Sequence, residues 1–539
     1  MLRVLVAFSV VWPGFAVTGC KPRPLPPSPG DAAVATGATL VRCGATCAPG
    51  APTTPSDGGE LTIAVDAEPG TLCDLVEHDA WGRWIVENQV QETLLYQDPA
   101  SGAIGPRLAA RFAFADPKTL VLTLEPKVRW HDGAAFSSGD VAFTLGLARD
   151  PKIGADQAAD LAPIVAVDTP DAVTVRLRLA RPAPYLLQAL AHLSILPAHL
   201  YRGRDLRTAP ASRAPVGTGP FRFVEWQAGQ RLILARHDGY WGRPAHLARV
   251  IFRFVRDKQV ALTLYERGEL DVLPRLPSPR AAEALLADPR RHGDQILAWT
   301  PRAYYYLVWN TQRGPLGKPE VRRALGALVD RARFMSVAFG GHAQPITGPY
   351  VPGTPSYDPA VLPIAFDPVA AKAALAAAGV SGLQLTFLAT AGSRSAEQLA
   401  TQLQEDFARA GVRLDIQTVD FATLLARLRK HDFDLSALQW TMSLEQDNFS
   451  MFHSSEAQGG QNYGAFSDPA VDRALEKIRA TSDDTERHAL DRALHRQLHQ
   501  AQPYAFICSP EAETLVRGRV HDFRPSVDGF TLAEAWVQP

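Results

Sequence analysis

Residues able to do covalent chemistry are present in this sequence, but not in catalytic patterns. The 14 histidines are scattered, and no Gly-x-Ser-x-Gly, His-Glu-x-x-His, Ser-x-x-Lys or phosphate-loop motif occurs. His192 and His199 are spaced for neither a helical metal pair nor a zinc site. Asp483-Asp484 stands at a helix start, where capping explains it. What remains is non-covalent chemistry, side chains that hold a solute. Trp440 offers a flat apolar face for a side chain or a cation, or else fills a sheet edge. Asp447 and Asn448 follow in a polar loop and equally suit a turn. Arg394 could grip a carboxylate near a helix N-terminus, with a solvated surface arginine as the alternative. Tyr304, Tyr305 and Tyr306 alternate faces on a strand, so Tyr305 points away from the other two.

The elements around these residues predict where they meet. Leu383 to Leu388 reads as an apolar strand. Ser395 reads as the cap of a helix carrying Leu399, Leu403 and Phe407 at helical spacing, stopped by Gly411. Val412 to Val419 is the next strand. Asp420 caps a second helix ending near Lys430, and Phe433 to Trp440 is a third strand. This βαβαβ order implies a parallel sheet, and ligands sit beyond the carboxyl ends of such strands. The third strand delivers Trp440 and the loop from Thr441 to Phe466 to that edge. Earlier, Leu61 to Val65, Val173 to Leu179, Phe221 to Trp226, Arg231 to Ala235 and Val250 to Val255 read as strands. Asp468-Pro469 starts a late helix, and the segments from Ala505 onward are expected to return to the first domain. Trp81 and Trp84 read as core residues, with a wall of the binding site as the alternative.

At 539 residues and a formal net charge of −1, the chain is long enough for two or three domains. The charge gives no electrostatic case for nucleic acid or an anionic membrane surface. Residues 1–20 read as a signal peptide. Arg3 supplies the positive region, and Leu5 to Val17 forms an apolar stretch too short to span a bilayer. Val17-Thr18-Gly19-Cys20 resembles the lipobox of bacterial lipoproteins, which implies lipidation at Cys20. Residues 21–58, rich in Pro, Ala and Gly, are expected to be a disordered tether. The four other cysteines are an even number in an exported chain. Cys43 with Cys47, and Cys73 with Cys508, are the possible disulfides. No metal site is expected.

Four ordered blocks carry a wider resemblance. The first is Ala109-Ala110-Arg111-Phe112 with Trp130-His131-Asp132-Gly133. The second is Gly217-Thr218-Gly219-Pro220 with Tyr240-Trp241. The third is Asn310-Thr311 with Val321-Arg322-Arg323 and Asp330-Arg331. The fourth is Asn462-Tyr463 with Ser467-Asp468-Pro469. Together they resemble the family 5 extracellular solute-binding proteins of bacterial ABC transporters, which include dipeptide, oligopeptide and nickel receptors. The resemblance implies an α/β, two-lobed fold of the periplasmic-binding-protein type (class II). Lobe I would comprise residues 59–75, 200–302 and 504–539, with an inserted subdomain at 76–199. Lobe II would comprise 303–503, with hinge strands near Thr300 to Tyr306 and near Pro503. Closure of the hinge would enclose the solute.

Members that bind free peptides place an acidic side chain just after the tryptophan of the third strand, paired with the α-ammonium. Here that position is Ser443, and Glu445 or Asp447 could substitute if the loop rearranges. The implied binding set is Trp440, Ser443, Glu445, Asp447, Asn448, Arg394, Tyr304 and Tyr306. The resemblance further implies a monomeric, non-enzymatic receptor without a cofactor, extracytoplasmic and lipid-anchored at the periplasmic face or cell surface. Its partners would be an ABC permease and ATPase and a peptide or peptide-like solute. Same-fold alternatives are a metal chelate, sugar or opine as solute, or a chemosensory or signalling lipoprotein uncoupled from transport.

Overall fold

The computed structural model describes residues 40–43, 54–76, 79–98, 103–183, 185–276, 284–288, 293–442, 447–481, 483–526 and 529–538. Cys20, Cys47, Ser443 and Glu445 lie outside the described residues. Two compact units divide the chain, one built from residues 40–299 and 512–538, the other from residues 300–511. Among the described residues no helix is long and apolar enough to cross a membrane.

The first unit is organised by an eight-stranded mixed sheet. Its centre is the strand Glu60–Val65, which pairs in parallel with Arg249–Phe254 on one side and Val272–Leu273 on the other. Leu61, Ile63 and Val65 are fully buried in its core. A second core of this unit lies against a four-stranded antiparallel sheet in which Thr119–Leu124 and Thr174–Leu179 are central. The alternation read in the sequence is visible there, since Val175, Leu177 and Leu179 are buried and Arg176 and Arg178 are exposed.

The second unit carries a six-stranded sheet. Gln384–Thr390 pairs in parallel with Arg413–Val419 and with Leu435–Thr441. The expected βαβαβ run is therefore present, with helices Arg394–Arg409 and Phe421–Arg429 between the strands. Asp420 caps the second helix through Thr423 N–H, and Asp468 caps Pro469–Ala480. The first helix starts earlier than expected. Ser393 is its N-cap, and Ser395 lies inside the first turn.

Three expectations are corrected. Tyr504–Pro510 does not return to the first unit. It pairs antiparallel with Ala303–Trp309 inside the second unit, buried on both sides, and the chain changes unit only before Ala512–Val516. Its continuous apolar run has two partner strands there, which satisfies its backbone. Leu40–Cys43 is not part of a disordered tether, because it pairs antiparallel with Gln295–Trp299 at the edge of the first sheet. Residues near 57 are also fastened, with Gly58 N–H donating to His246 O at 2.8 Å and Asp57 meeting His246 at 2.6 Å. Finally, Cys73 and Cys508 are both free thiols. Each is buried in the core of a different unit. Burial pushes the Cys73 thiol up to about 11 and raises Cys508 too.

The four sequence blocks brace the backbone. His131 N–H donates to Gly217 O at 2.8 Å, and its ring bonds Gly217 N–H at 3.2 Å and Gly219 O at 3.0 Å. Both glycines are dictated by close approach. A Cβ on Gly217 would fall 1.6 Å from Val90 O, and one on Gly219 would fall 2.5 Å from Gln89 O. Between them Thr218 donates to the buried Glu92 carboxylate, which also accepts from Tyr240 and Trp241. Arg322 donates to the carbonyls of Leu316, Gly317, Ala501 and Gln502. Asn462 holds the carbonyls of His453 and Phe466. These side chains satisfy backbone groups that would otherwise be buried unpaired.

Candidate functional site

In the second unit the three parallel strands end on one edge, at Thr390, Val419 and Thr441. The strand Leu435–Thr441 brings Trp440 there, as expected. Val419 closes the edge strand Arg413–Val419, on the far side of Gln384–Thr390, and Phe421 opens the helix that follows. Trp440, Val419, Phe421 and Phe449 all pack on one buried cluster while staying half-buried themselves. Of these, Trp440, Val419 and Phe421 leave apolar and aromatic surface at the place where an α/β sheet holds its ligands.

Tyr304 and Tyr306 form the floor of this edge. They are 0% and 1% exposed, and Tyr306 stacks on Tyr504 with ring centres 4.4 Å apart. Burial raises both phenols well above their ordinary value and keeps them neutral. Tyr305 points to the opposite face, as the strand period requires. Its hydroxyl lies 3.3 Å from Ser395 Oγ, at the start of the helix that Arg394 opens. The structure thus brings Tyr305, absent from the expected set, to the helix terminus that Arg394 shares. The register Tyr305↔Gln439 places Gln439 on that face as well.

Asp447 and Asn448 have turn roles. Asn448 is 2% exposed, and its carbonyl accepts from Met451 and Phe452 at the start of the short helix Phe449–Phe452. Asp447 accepts from Phe449 N–H at 3.1 Å. Its other oxygen takes Arg479 Nε at 2.8 Å and Nη2 at 2.5 Å. Asp447 therefore already has a counter-charge. Sequence reasoning missed Arg479, because no local pattern links a loop to a helix this far downstream.

The first unit has an edge of the same kind. Beyond the carboxyl ends of its parallel strands, Asp66 accepts from Trp81 Nε1 at 2.6 Å and from Arg275 Nη1 at 2.9 Å. The Arg275 guanidinium lies 5.0 Å from the Trp81 ring centre and 5.5 Å from that of Trp84. Ala64, Asp66, Val255, Lys258, Leu273 and Arg275 line a small cavity there. Burial lowers the Lys258 ammonium below its ordinary range. Trp81 is a core residue, at 1% exposure, whereas Trp84 is half-buried.

Residues 103–462 match the middle region of the bacterial extracellular solute-binding proteins, family 5. The chain belongs to that family. It is 29% identical over 518 residues to di/tripeptide-binding protein 4 of Pseudomonas aeruginosa, spanning 89% of this chain and 94% of that one. Its fold matches the ABC transporter substrate-binding protein CtaP of Listeria monocytogenes with a TM-score of 0.81 at 23% identity, over 90% of this chain and all of that one. It also matches the binding protein AgaA of A. tumefaciens R10, solved with agropinic acid, with a TM-score of 0.71 at 27% identity over 89% and 99% of the two chains. The family is one of extracytoplasmic solute binding rather than catalysis.

Proposed function

We propose that this family 5 protein is a lipid-anchored receptor that closes on a peptide or peptide-like solute and delivers it to an ABC importer. The observation that carries the reading is the half-buried row at the carboxyl edge of the second unit, ending in Trp440. Such a row takes up side chains without specifying them, because apolar contact is non-directional. Main-chain groups of the solute would be held by the polar ends around it, with Arg394, Tyr305 and Ser395 on the opposite face of the sheet. The di/tripeptide receptor among its relatives favours a peptide. A carboxylated non-peptide solute is the second reading, favoured by the Asp447–Arg479 pair, which leaves Asp447 already matched.

Native mass spectrometry of residues 21–539, purified without denaturation, tests the solute class. Added masses that fragment as short peptides are expected. A clean apo mass that a peptide library does not shift would refute the peptide reading. Lipidation is read separately, since Cys20→Ser should move the protein from the membrane fraction to the soluble one. Unchanged membrane association would refute the anchor.

A further inference from the structure

The segment from Asp447 to Ser454 is fastened to one face of the helix Pro469–Ala480. Asp472, Glu476 and Arg479 recur at helical spacing, so they share that face. Asp472 accepts from Ser454 N–H at 2.9 Å and from its hydroxyl at 2.6 Å. Glu476 lies 3.5 Å from His453 Nε2. Arg479 grips Asp447 and lies 3.6 Å from the ring centre of Phe449. The His453 ring stacks on Phe449 with centres 4.0 Å apart and planes 11° apart. A parallel ring that close covers one face, so the guanidinium must cover the other. Both faces of Phe449 are therefore occupied, and only its edge is open to a solute. Trp440 has no such sandwich among the described ring contacts.

We propose that Arg479 is the specificity-determining residue of this edge. It neutralises Asp447 and seals Phe449, so the edge does not select solutes for a cationic amino end through Asp447. The inference rests on the peptide reading above. Its chemistry is simple: a carboxylate with one oxygen already accepting from two guanidinium nitrogens and the other from a backbone N–H offers little to a second cation. Replacing the guanidinium by a neutral amide returns the charge to Asp447 and makes the edge attract ammonium groups.

The experiment is calorimetric titration of the full-length protein and its Arg479→Gln and Arg479→Lys variants with trialanine and N-acetyl-trialanine at pH 7. Relative to the parent, Arg479→Gln is expected to shift the ratio of the two affinities by at least about tenfold toward the free amine. Arg479→Lys keeps the charge pair and should keep the parent ratio. A ratio that moves less than about threefold in Arg479→Gln overturns the proposal, and so does an equal shift in Arg479→Lys. If neither probe binds any of the three proteins, the peptide reading fails by itself. Arg479 is then judged with a homologous series of diamines against their monoacetylated forms. New preference for the diamine in Arg479→Gln alone sustains the proposal, and none overturns it.

Discussion

Acid is expected to loosen the second unit through the His495 imidazole. His495 sits in the helix Asp484–Ala501 with 0% exposure. Asp358 N–H donates to its Nδ1 at 3.1 Å, so the ring proton resides on Nε2, which donates to Thr347 Oγ1 at 2.9 Å. A second proton would have to enter on Nδ1, against an N–H already pointing there. Burial, reinforced by nearby His499, pushes the pKa from 6.5 down to about 4. The folded state therefore binds this proton less readily than the unfolded chain. The stabilisation is complete above the unfolded value and is lost as pH falls through the window from 6.5 to about 4. The full loss corresponds to about 3 kcal/mol, of which about 2 kcal/mol is gone by pH 5.

Because the two units need not unfold together, a local probe is required. Hydrogen exchange of the amides in Asp484–Ala501, corrected for intrinsic rates, gives the local stability at pH 7.5 and pH 5. The parent should lose about 2 kcal/mol more than His495→Gln between those conditions. The variant starts lower at pH 7.5, because its amide cannot reproduce both ring bonds. Equal losses in parent and variant would refute the reasoning. A His495 ring titrating near its ordinary value by NMR would refute it too.

Three further outcomes are expected. Gly217→Ala should destabilise the first unit by at least about 3 kcal/mol, since the added Cβ would meet the Val90 carbonyl at 1.6 Å and neither backbone can retreat. Chemical denaturation followed by signals of the first unit checks this, and a loss under about 1 kcal/mol counts against it. Trp440→Ala should weaken solute binding by about tenfold or more by removing an aromatic face, measured with whatever solute co-purifies. An unchanged affinity would remove Trp440 from the site. The Cys73 and Cys508 thiols should resist alkylation in the native protein and react on unfolding, because both are buried and free. Mass spectrometry that finds them linked would contradict the structure.

Local patterns in this sequence determined more of the fold than of the site. The βαβαβ run was legible because strand and helix periods, caps such as Asp420 and Asp468, and the stop at Gly411 are short-range effects written within a few residues. The edge carrying Trp440 followed from that order, since parallel strands share a direction and end together. The motif blocks announced the family, yet what they do was invisible. Only the folded chain places His131 against Gly217 and Gly219, and those glycines against the backbone of residues 89–91.

Tertiary structure alone decided four other matters. Tyr504–Pro510 reads as an apolar strand in any context, and its unit was set by which edges offered hydrogen bonds. Leu40–Cys43 stands in a stretch of tether-like composition, but a few β-favouring residues suffice once an open strand edge is nearby. Cys73 and Cys508 look paired by count, and burial in separate cores keeps them apart. Asp447 looks like a counter-charge for a solute until Arg479 is folded against it. Pairings between residues distant in sequence leave no periodic trace. They depend on which surfaces meet after collapse, and only the assembled chain determines that.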